Sequence, residues 1–505
     1  MEPMIKPPRS GGYNHPHWDH GAPVAPDGRS GGAHRAPAPM NAPEPAFDAA
    51  LIRRYDRPGP RYTSYPSALQ FDAAFGEAQY REAALRSTRA RPAAPLSVYV
   101  HVPFCANPCF YCGCNRIITR QRAPAQRYTR ALEREIELQG RLFGGARAVE
   151  QLHFGGGTPT FLESGQLAAV LAAIDRHFGL ARGEQREFSI EVDPRTVSAE
   201  RLRHLTGLGF NRISLGVQDF DPQVQQAVNR VQSPDETLGL IAEARRAGFG
   251  SVSVDLIYGL PRQTQASWAH TLDRVLTARP DRIATYSYAH LPQRFKAQRH
   301  IDAAQLPSPQ EKLALLAQTI RRFTAAGYVY IGMDHFALPG DALALARRAG
   351  TLHRNFQGYS TRGGLELVGL GVTSIGSLDD TYSQNARQLD RYYALLDEER
   401  LPLERGLRLT AEDRLRRDVI MALMCRNGFR FAEIDARHGV GSRAHFADEL
   451  VRLRALEADG VVEQDAAGVR VLPAGRLLLR AIAMVFDPYT AAANAEAPRR
   501  HSAVI

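Results

Sequence analysis

Six short runs rich in β-branched residues recur along this chain, separated by helical patterns. They read LSVYVHVP, VEQLHFGGG, EFSIEVDP, RISLGVQDF, SVSVDLIYGLP and RIATYSYAHL. Between them, Tyr128, Leu132 and Ile136 fall on one helical face. Leu167, Val170, Leu171, Ile174 and Phe178 fall on another, with Ser164 placed to cap it, and Trp268, Leu272 and Val275 on a third. Ser308, Pro309 and Glu311 make a capping box ahead of Leu313, Leu316, Ile320 and Phe323. Gly209-Phe210, Gly248-Phe249 and Gly327-Tyr328 each close a helix just before a strand. Alternation of this kind predicts a parallel sheet with right-handed crossovers. Six units fit an α/β fold built on a partial barrel better than a closed barrel of eight.

Polar residues collect where these strands end. Glu191 and Asp193 end the third, Gln218 and Asp219 the fourth, and Tyr288 and His290 the sixth, while Asp255 sits within the fifth. In barrels that rim carries the chemistry. At 505 residues the chain has room for more than one domain. Residues 1–45 are too rich in Pro, Gly, Ala and His to bury a core and read as a disordered tail. Residues 46–94 read as an N-terminal segment packing on the barrel, 95–380 as the barrel with its extension, and 381–505 as a mostly helical C-terminal domain. The last has a short hairpin from Val461 to Leu472 in a winged-helix layout, and is expected to cover the barrel mouth rather than read nucleic acid. Cys425, among Ile420, Leu423 and Met424, is expected in the core. The net charge of +10 comes from scattered basic residues, which suits a polycarboxylate small molecule better than a nucleic acid. No run of ~18 uncharged apolar residues predicts a membrane span. No signal pattern opens the chain, and cysteine usage fits a reducing, cytoplasmic compartment.

Four of the five cysteines lie in HVPFCANPCFYCGCNR, spaced Cys-x3-Cys-x2-Cys-x-Cys at Cys105, Cys109, Cys112 and Cys114. A structural zinc site usually draws two separated pairs, and Cys112 and Cys114 are awkward neighbours for a tetrahedron. A redox pair of Cys109 and Cys112 would be expected to open a helix in a different context. The third reading is an iron–sulfur cluster: closely spaced thiolates on a loop hold three corners of a cubane and leave one iron open. The loop follows directly on the first strand, and the glycine-rich turn FGGGTPT ends the next, where backbone N–H groups can approach a polar ligand. That order favours the cluster.

The chain resembles the radical S-adenosylmethionine (SAM) superfamily through CANPCFYC and GGGTP, and within it the oxygen-independent coproporphyrinogen III oxidase family. GPRYTSYP, YVHVPFC, CGCN, HFGGGTPT, IEVDPR, GVQDF, VNR, DLIYGLP, YAHLP, GMDHFA and HRNFQGY carry the resemblance, which runs from about Phe47 to the C-terminus. It implies a partial (β/α)6 barrel with a helical C-terminal domain. It implies a 4Fe–4S cluster on Cys105, Cys109 and Cys112, with SAM on the fourth iron and Cys114 outside the ligand set. Tyr99, Gly156, Glu191 and Ile375 match contacts to that SAM. Tyr111, Gly157, Thr158, Gln218, Arg230, Asp255 and Ala289 match a second SAM position, with Tyr111 departing from the phenylalanine often found there. Tyr99, Glu191 and Arg230 are the residues expected to matter most for catalysis.

The resemblance also implies a reaction. An electron from the reduced cluster cleaves SAM to methionine and a 5′-deoxyadenosyl radical, which takes hydrogen from the β-carbon of a propionate. Loss of carbon dioxide and one electron leaves a vinyl group. Two such events convert coproporphyrinogen III to protoporphyrinogen IX, in porphyrin and haem biosynthesis. An electron donor for the cluster and a final electron acceptor are required partners, and a monomer is expected. Related haem chaperones share the loop and barrel; CGCN, Arg230, HRNFQGY and GPRYTSYP argue for the oxidase. A zinc-stabilised nucleic-acid-binding protein would use the C-terminal pattern instead.

Overall fold

A computed structural model describes residues 44–143, 147–183 and 186–490. The tail expected to be disordered lies, through residue 43, outside the described residues.

The six runs form β1 (Leu96–Val102), β2 (Val149–Gly156), β3 (Glu187–Val192), β4 (Arg212–Gln218), β5 (Ser251–Tyr258) and β6 (Arg282–Ser287). They lie side by side in chain order, each parallel to the next. Period-two alternation sets what each face carries. In β3, Phe188, Ile190 and Val192 are buried among helix side chains, while Ser189 and Glu191 alternate with them on the opposite face. Helices α1 (Ala123–Gly140), α2 (Ser164–His177), α3 (Ala199–Gly207), α4 (Pro234–Ala247), α5 (Gln265–Ala278) and α6 (Pro309–Ala325) follow β1 to β6 in turn. The apolar residues read from the sequence for these helices are buried in that layer, except Leu313, which is half-buried against it. Ser308 caps α6 as expected, accepting from the Glu311 N–H. Ser164 is instead the first residue of α2, and its hydroxyl accepts from Arg201. Glu163 precedes it, donating its N–H to Gln166 Oε1 at 2.8 Å.

The sheet extends well past six strands. With β7 (Val329–Gly332), β8 (His335–Ala337), β9 (Glu366–Leu370), β10 (Ile375–Leu378), β11 (Thr381–Asn385) and β12 (Leu403–Arg408), the order is β12-β11-β10-β9-β1-β2-β3-β4-β5-β6-β8-β7. β9 continues the parallel run beside β1, and the outer pairs are antiparallel. Sheet pairing therefore continues beyond residue 380, where the sequence suggested a boundary, because β11 pairs with β12 across an intervening helix, Leu389–Asp397.

The C-terminal part is mostly helical around α7 (Ala411–Arg426) and a small sheet of Gly428–Arg430, Val462–Gln464 and Gly468–Val471. Cys425 is buried there. Arg476 and Arg480, both buried, donate to the Tyr330 and Pro60 carbonyls at 2.7 and 3.0 Å. These bonds anchor the C-terminal part on the β7 edge and the N-terminal segment. The helices and small sheet of this part line none of the cavities described below, although Gln384, Arg387 and Glu404, which fall within the expected 381–505 domain, line two of them. Among the described residues no helix is long and apolar enough to cross a membrane.

Candidate active site

The cysteine loop leaves β1 and is held at both ends. The Ile117 N–H donates to Pro103 O at 2.7 Å and the Thr119 N–H to Cys105 O at 3.0 Å. Inside the loop the Arg116 guanidinium donates to Cys112 O and Cys109 O at 2.9 and 3.1 Å. The VNR segment fastens the outside: Asn229 Nδ2 donates to Pro108 O at 2.7 Å, and the Phe110 N–H to Val228 O at 3.0 Å.

Cys105, Cys109 and Cys112 line one cavity of about 180 Å³ together with Tyr111, Gly156, Gly157, Thr158, Glu191, Gln218, Arg230 and Asp255. Each of the three sulfurs receives a donor. Thr158 Oγ1 reaches Cys105 at 3.4 Å, Arg230 Nη1 reaches Cys109 at 3.4 Å, and the Cys114 N–H reaches Cys112 at 3.5 Å. Donors of this kind stabilise thiolate, the metal-binding form. The Cys112 thiol is drawn down to about 6, first by the hydrogen bond from the Cys114 thiol, while burial pushes Cys105 up to about 11. No three His, Cys, Asp or Glu side chains among the described residues converge on a single-ion position. Three soft thiolates around a shared cavity suit a polynuclear iron–sulfur group.

The glycine turn works differently from the sequence expectation. Its N–H groups are already used: Gly156 donates to Glu191 Oε2 at 3.2 Å, Gly157 to Val102 O at 2.8 Å and Thr158 to Phe104 O at 2.8 Å. What requires glycine is close passage. Gly156 has φ of 112°, and a Cβ there would lie 2.6 Å from His101 Cε1. A Cβ on Gly157 would lie 2.8 Å from the Pro103 and Phe104 backbone. The turn lets the cysteine loop press against β2.

Strand register then layers the barrel interior. His153 sits opposite Tyr99 on β1 and Ser189 on β3. Its ring stacks on Tyr99 with centroids 5.8 Å apart, its Nε2 pairs with Glu191 at 3.1 Å, and Nδ1 meets the Ser189 hydroxyl at 2.5 Å. Burial would raise the Glu191 carboxyl, but the His153 and Gly156 hydrogen bonds outweigh it and hold its pKa below the usual value. Asp255, two strands further on, accepts from Ser214 at 2.9 Å, yet burial and then the Glu191 charge push it up to about 7. A register shift between Gly216 and Gln218, with φ of 68° at Gln218, re-aims β4 at the cavity. Arg230 Nη2 donates to Gly216 O, and Nη1 lies 3.3 Å from Asp193 Oδ2.

Tyr99 and Ile375 line a second cavity of about 240 Å³ with His101, Phe356 and Gln384, and His101 also packs against Gly156 of the first. Ala289 lines neither cavity, but Gln298 Nε2 ties its carbonyl to that of Tyr111, at 3.2 and 2.9 Å. An outer cavity of about 520 Å³ opens past Cys114 and Thr373, lined by Arg294, Phe295, Arg387 and Glu404. Sequence reasoning missed His101, His153, Arg116 and Arg195. The signal available for the first two was strand parity, since Tyr99 and His101 share one face of β1.

Known proteins resemble this chain over most of its length. The radical SAM superfamily model matches residues 99–275 and the HemN C-terminal domain model residues 409–478. Oxygen-independent coproporphyrinogen III oxidase of Pseudomonas aeruginosa is 48% identical over 448 residues, covering 89% of this chain and 97% of the relative. The Escherichia coli protein of the same name is 48% identical over 450 residues, covering 89% and 97%. The solved structure of the Escherichia coli coproporphyrinogen III oxidase, described as a radical SAM enzyme, superposes with a TM-score of 0.84 at 46% identity, covering 88% of this chain and 100% of that one.

Proposed function

The chain belongs to the oxygen-independent coproporphyrinogen III oxidase family of radical SAM enzymes, and we propose that it converts coproporphyrinogen III to protoporphyrinogen IX by oxidative decarboxylation of two propionates. The observation that carries this reading is the set of three donor-supplied thiolates lining one cavity with Glu191, Asp255 and Arg230. A 4Fe–4S cluster and SAM bound there would supply the one-electron radical chemistry that can take hydrogen from unactivated carbon. Cys105, Cys109 and Cys112 would hold the cluster and leave it a position open to SAM. Tyr99, Gly156, Glu191 and Ile375 would hold the cluster-bound SAM, with His153 fixing Glu191 as an acceptor. Tyr111, Gly157, Thr158, Gln218, Arg230 and Asp255 share the inner cavity, which supports a second SAM position there. Ala289 supports it indirectly, through Gln298.

Asp255 makes the second position testable by pH. A carboxyl pushed up to about 7 keeps its proton below that pH and meets a cationic ligand as a carboxylate only above it. SAM affinity at that position therefore rises as pH passes upward through about 7, by roughly threefold to tenfold per unit below it. In Asp255→Asn this dependence is lost. Equilibrium dialysis of both proteins across that range checks it, and a slope retained in the variant removes Asp255 from the position.

The outer cavity supplies a place for a polycarboxylate. Arg294 is exposed, stacks on Phe295 at 5.6 Å, and has no carboxylate partner among the described residues. Held by a solvent-exposed ion pair, a propionate gains roughly 0.2–1 kcal/mol. Arg294→Ala is expected to raise KM for coproporphyrinogen III by about twofold to fivefold with kcat unchanged. An unchanged KM would separate Arg294 from the substrate.

The function itself is tested by anaerobic incubation with coproporphyrinogen III, SAM and a reductant, scored for vinyl product and 5′-deoxyadenosine. Tight haem binding with no product would favour a haem chaperone.

A further inference from the structure

We infer that Arg195, which lines none of the cavities described above, sets the charge beside Cys109 and so raises the reduction potential of the cluster that Cys109 holds. This rests on the cluster assignment made above and concerns a residue outside the proposed SAM contacts.

Arg195 follows β3 in the short turn Pro194–Thr196. Its Nε donates to both Asp193 oxygens, at 3.0 and 3.2 Å, and its Nη2 is shared between Asp193 Oδ2 at 2.6 Å and Cys109 Sγ at 3.7 Å. Asp193 also faces Arg230, whose Nη1 reaches the same sulfur at 3.4 Å. Two guanidinium groups share one carboxylate, leaving one net positive charge against a cysteine that is 9% exposed. Among the described residues Cys109 is the one proposed ligand sulfur hydrogen-bonded by two guanidinium groups, while Cys105 is met by Thr158 and Cys112 by the Cys114 N–H and thiol. Reduction adds one negative charge to the cluster. A fixed cation and an N–H donor at a ligand sulfur favour the reduced state over the oxidised one, and both are recognised controls of iron–sulfur potential. Arg230 enters the cavity and so combines this effect with ligand binding. Arg195 reaches the sulfur from outside, which leaves its effect on the potential separable. Asp193 holds the Arg195 fork in place through three contacts, so the charge has little freedom to move away.

The test is a redox titration of the full-length reconstituted protein, following the reduced-cluster signal by electron paramagnetic resonance. Wild type is compared with Arg195→Gln, Arg195→Met and Arg195→Lys. With full iron and labile sulfide, the Gln and Met variants should show a more negative midpoint. At the wild-type midpoint their ratio of reduced to oxidised cluster should fall about tenfold, or 59 mV for a one-electron couple. The Lys variant should lie nearer wild type, and SAM affinity should be unchanged in all three. A purely structural role would not move the potential in this charge-dependent order. A Gln or Met variant with a full cluster and the wild-type midpoint overturns the inference. So does failure of both neutral variants to retain iron, which would make Arg195 an assembly residue. A wild-type protein lacking labile sulfide would overturn the cluster assignment itself, independently of any variant.

Discussion

Cys109→Ser is expected to lose the cluster and with it all turnover, whereas Cys114→Ser keeps a full complement of iron and acid-labile sulfide and still cleaves SAM. A hard hydroxyl is a poor substitute for a soft thiolate, so Cys105→Ser and Cys112→Ser should behave like Cys109→Ser. Cys114 borders both the inner and the outer cavity and is exposed, so its side chain does not simply point away as an extended loop would suggest. Its contribution is a hydrogen bond: its N–H donates to Cys112 Sγ at 3.5 Å, and that donor survives substitution by serine. Serine replaces the thiol that bonds Cys112 by a hydroxyl of shorter reach, so some activity is expected to be lost. Iron and sulfide analysis, with electron paramagnetic resonance spectra of the reduced protein before and after SAM, checks the ranking. A SAM-induced spectral change in wild type reports an open iron. Loss of the cluster in Cys114→Ser as complete as in Cys109→Ser would mean four protein ligands and no open iron, and would end the radical reading.

The second large effect is expected at Arg230. Its side chain is buried, and it is bonded to Asp193 and to the Gly216 carbonyl. Arg230→Ala removes a charge-assisted bond from a closed site, at a cost of about 1.5–3 kcal/mol. That corresponds to a loss of roughly tenfold to a hundredfold or more in kcat/KM. Iron content should stay normal, because the three ligand cysteines and the Arg116 clamp are untouched. An unchanged kcat/KM would remove Arg230 from the site.

Much of the site was legible because its strongest features are local in sequence. The strand starting at Leu96 and the four-cysteine run that follows it lie within about twenty residues, and their order alone places a thiolate loop at a strand's C-terminal end. The purpose of the glycine turn was misread for the opposite reason. Whether an N–H is free depends on which carbonyl or carboxylate lies opposite, and Val102, Phe104 and Glu191 become neighbours of that turn only after three strands have paired.

Hydrophobic period and cysteine spacing, which act over a few residues, determined from the sequence alone the parallel α/β core, the buried helix faces and the thiolate loop. Tertiary structure alone decided the electrostatics. The His153–Glu191 pair spans 38 positions, Asp255, its carboxyl pushed up to about 7, meets Ser214 across 41, and Arg195 and Arg230 reach Cys109 across 86 and 121. Their energies depend on burial and on contacts of about 3 Å, and neither exists until the strands bring those side chains into one low-dielectric space.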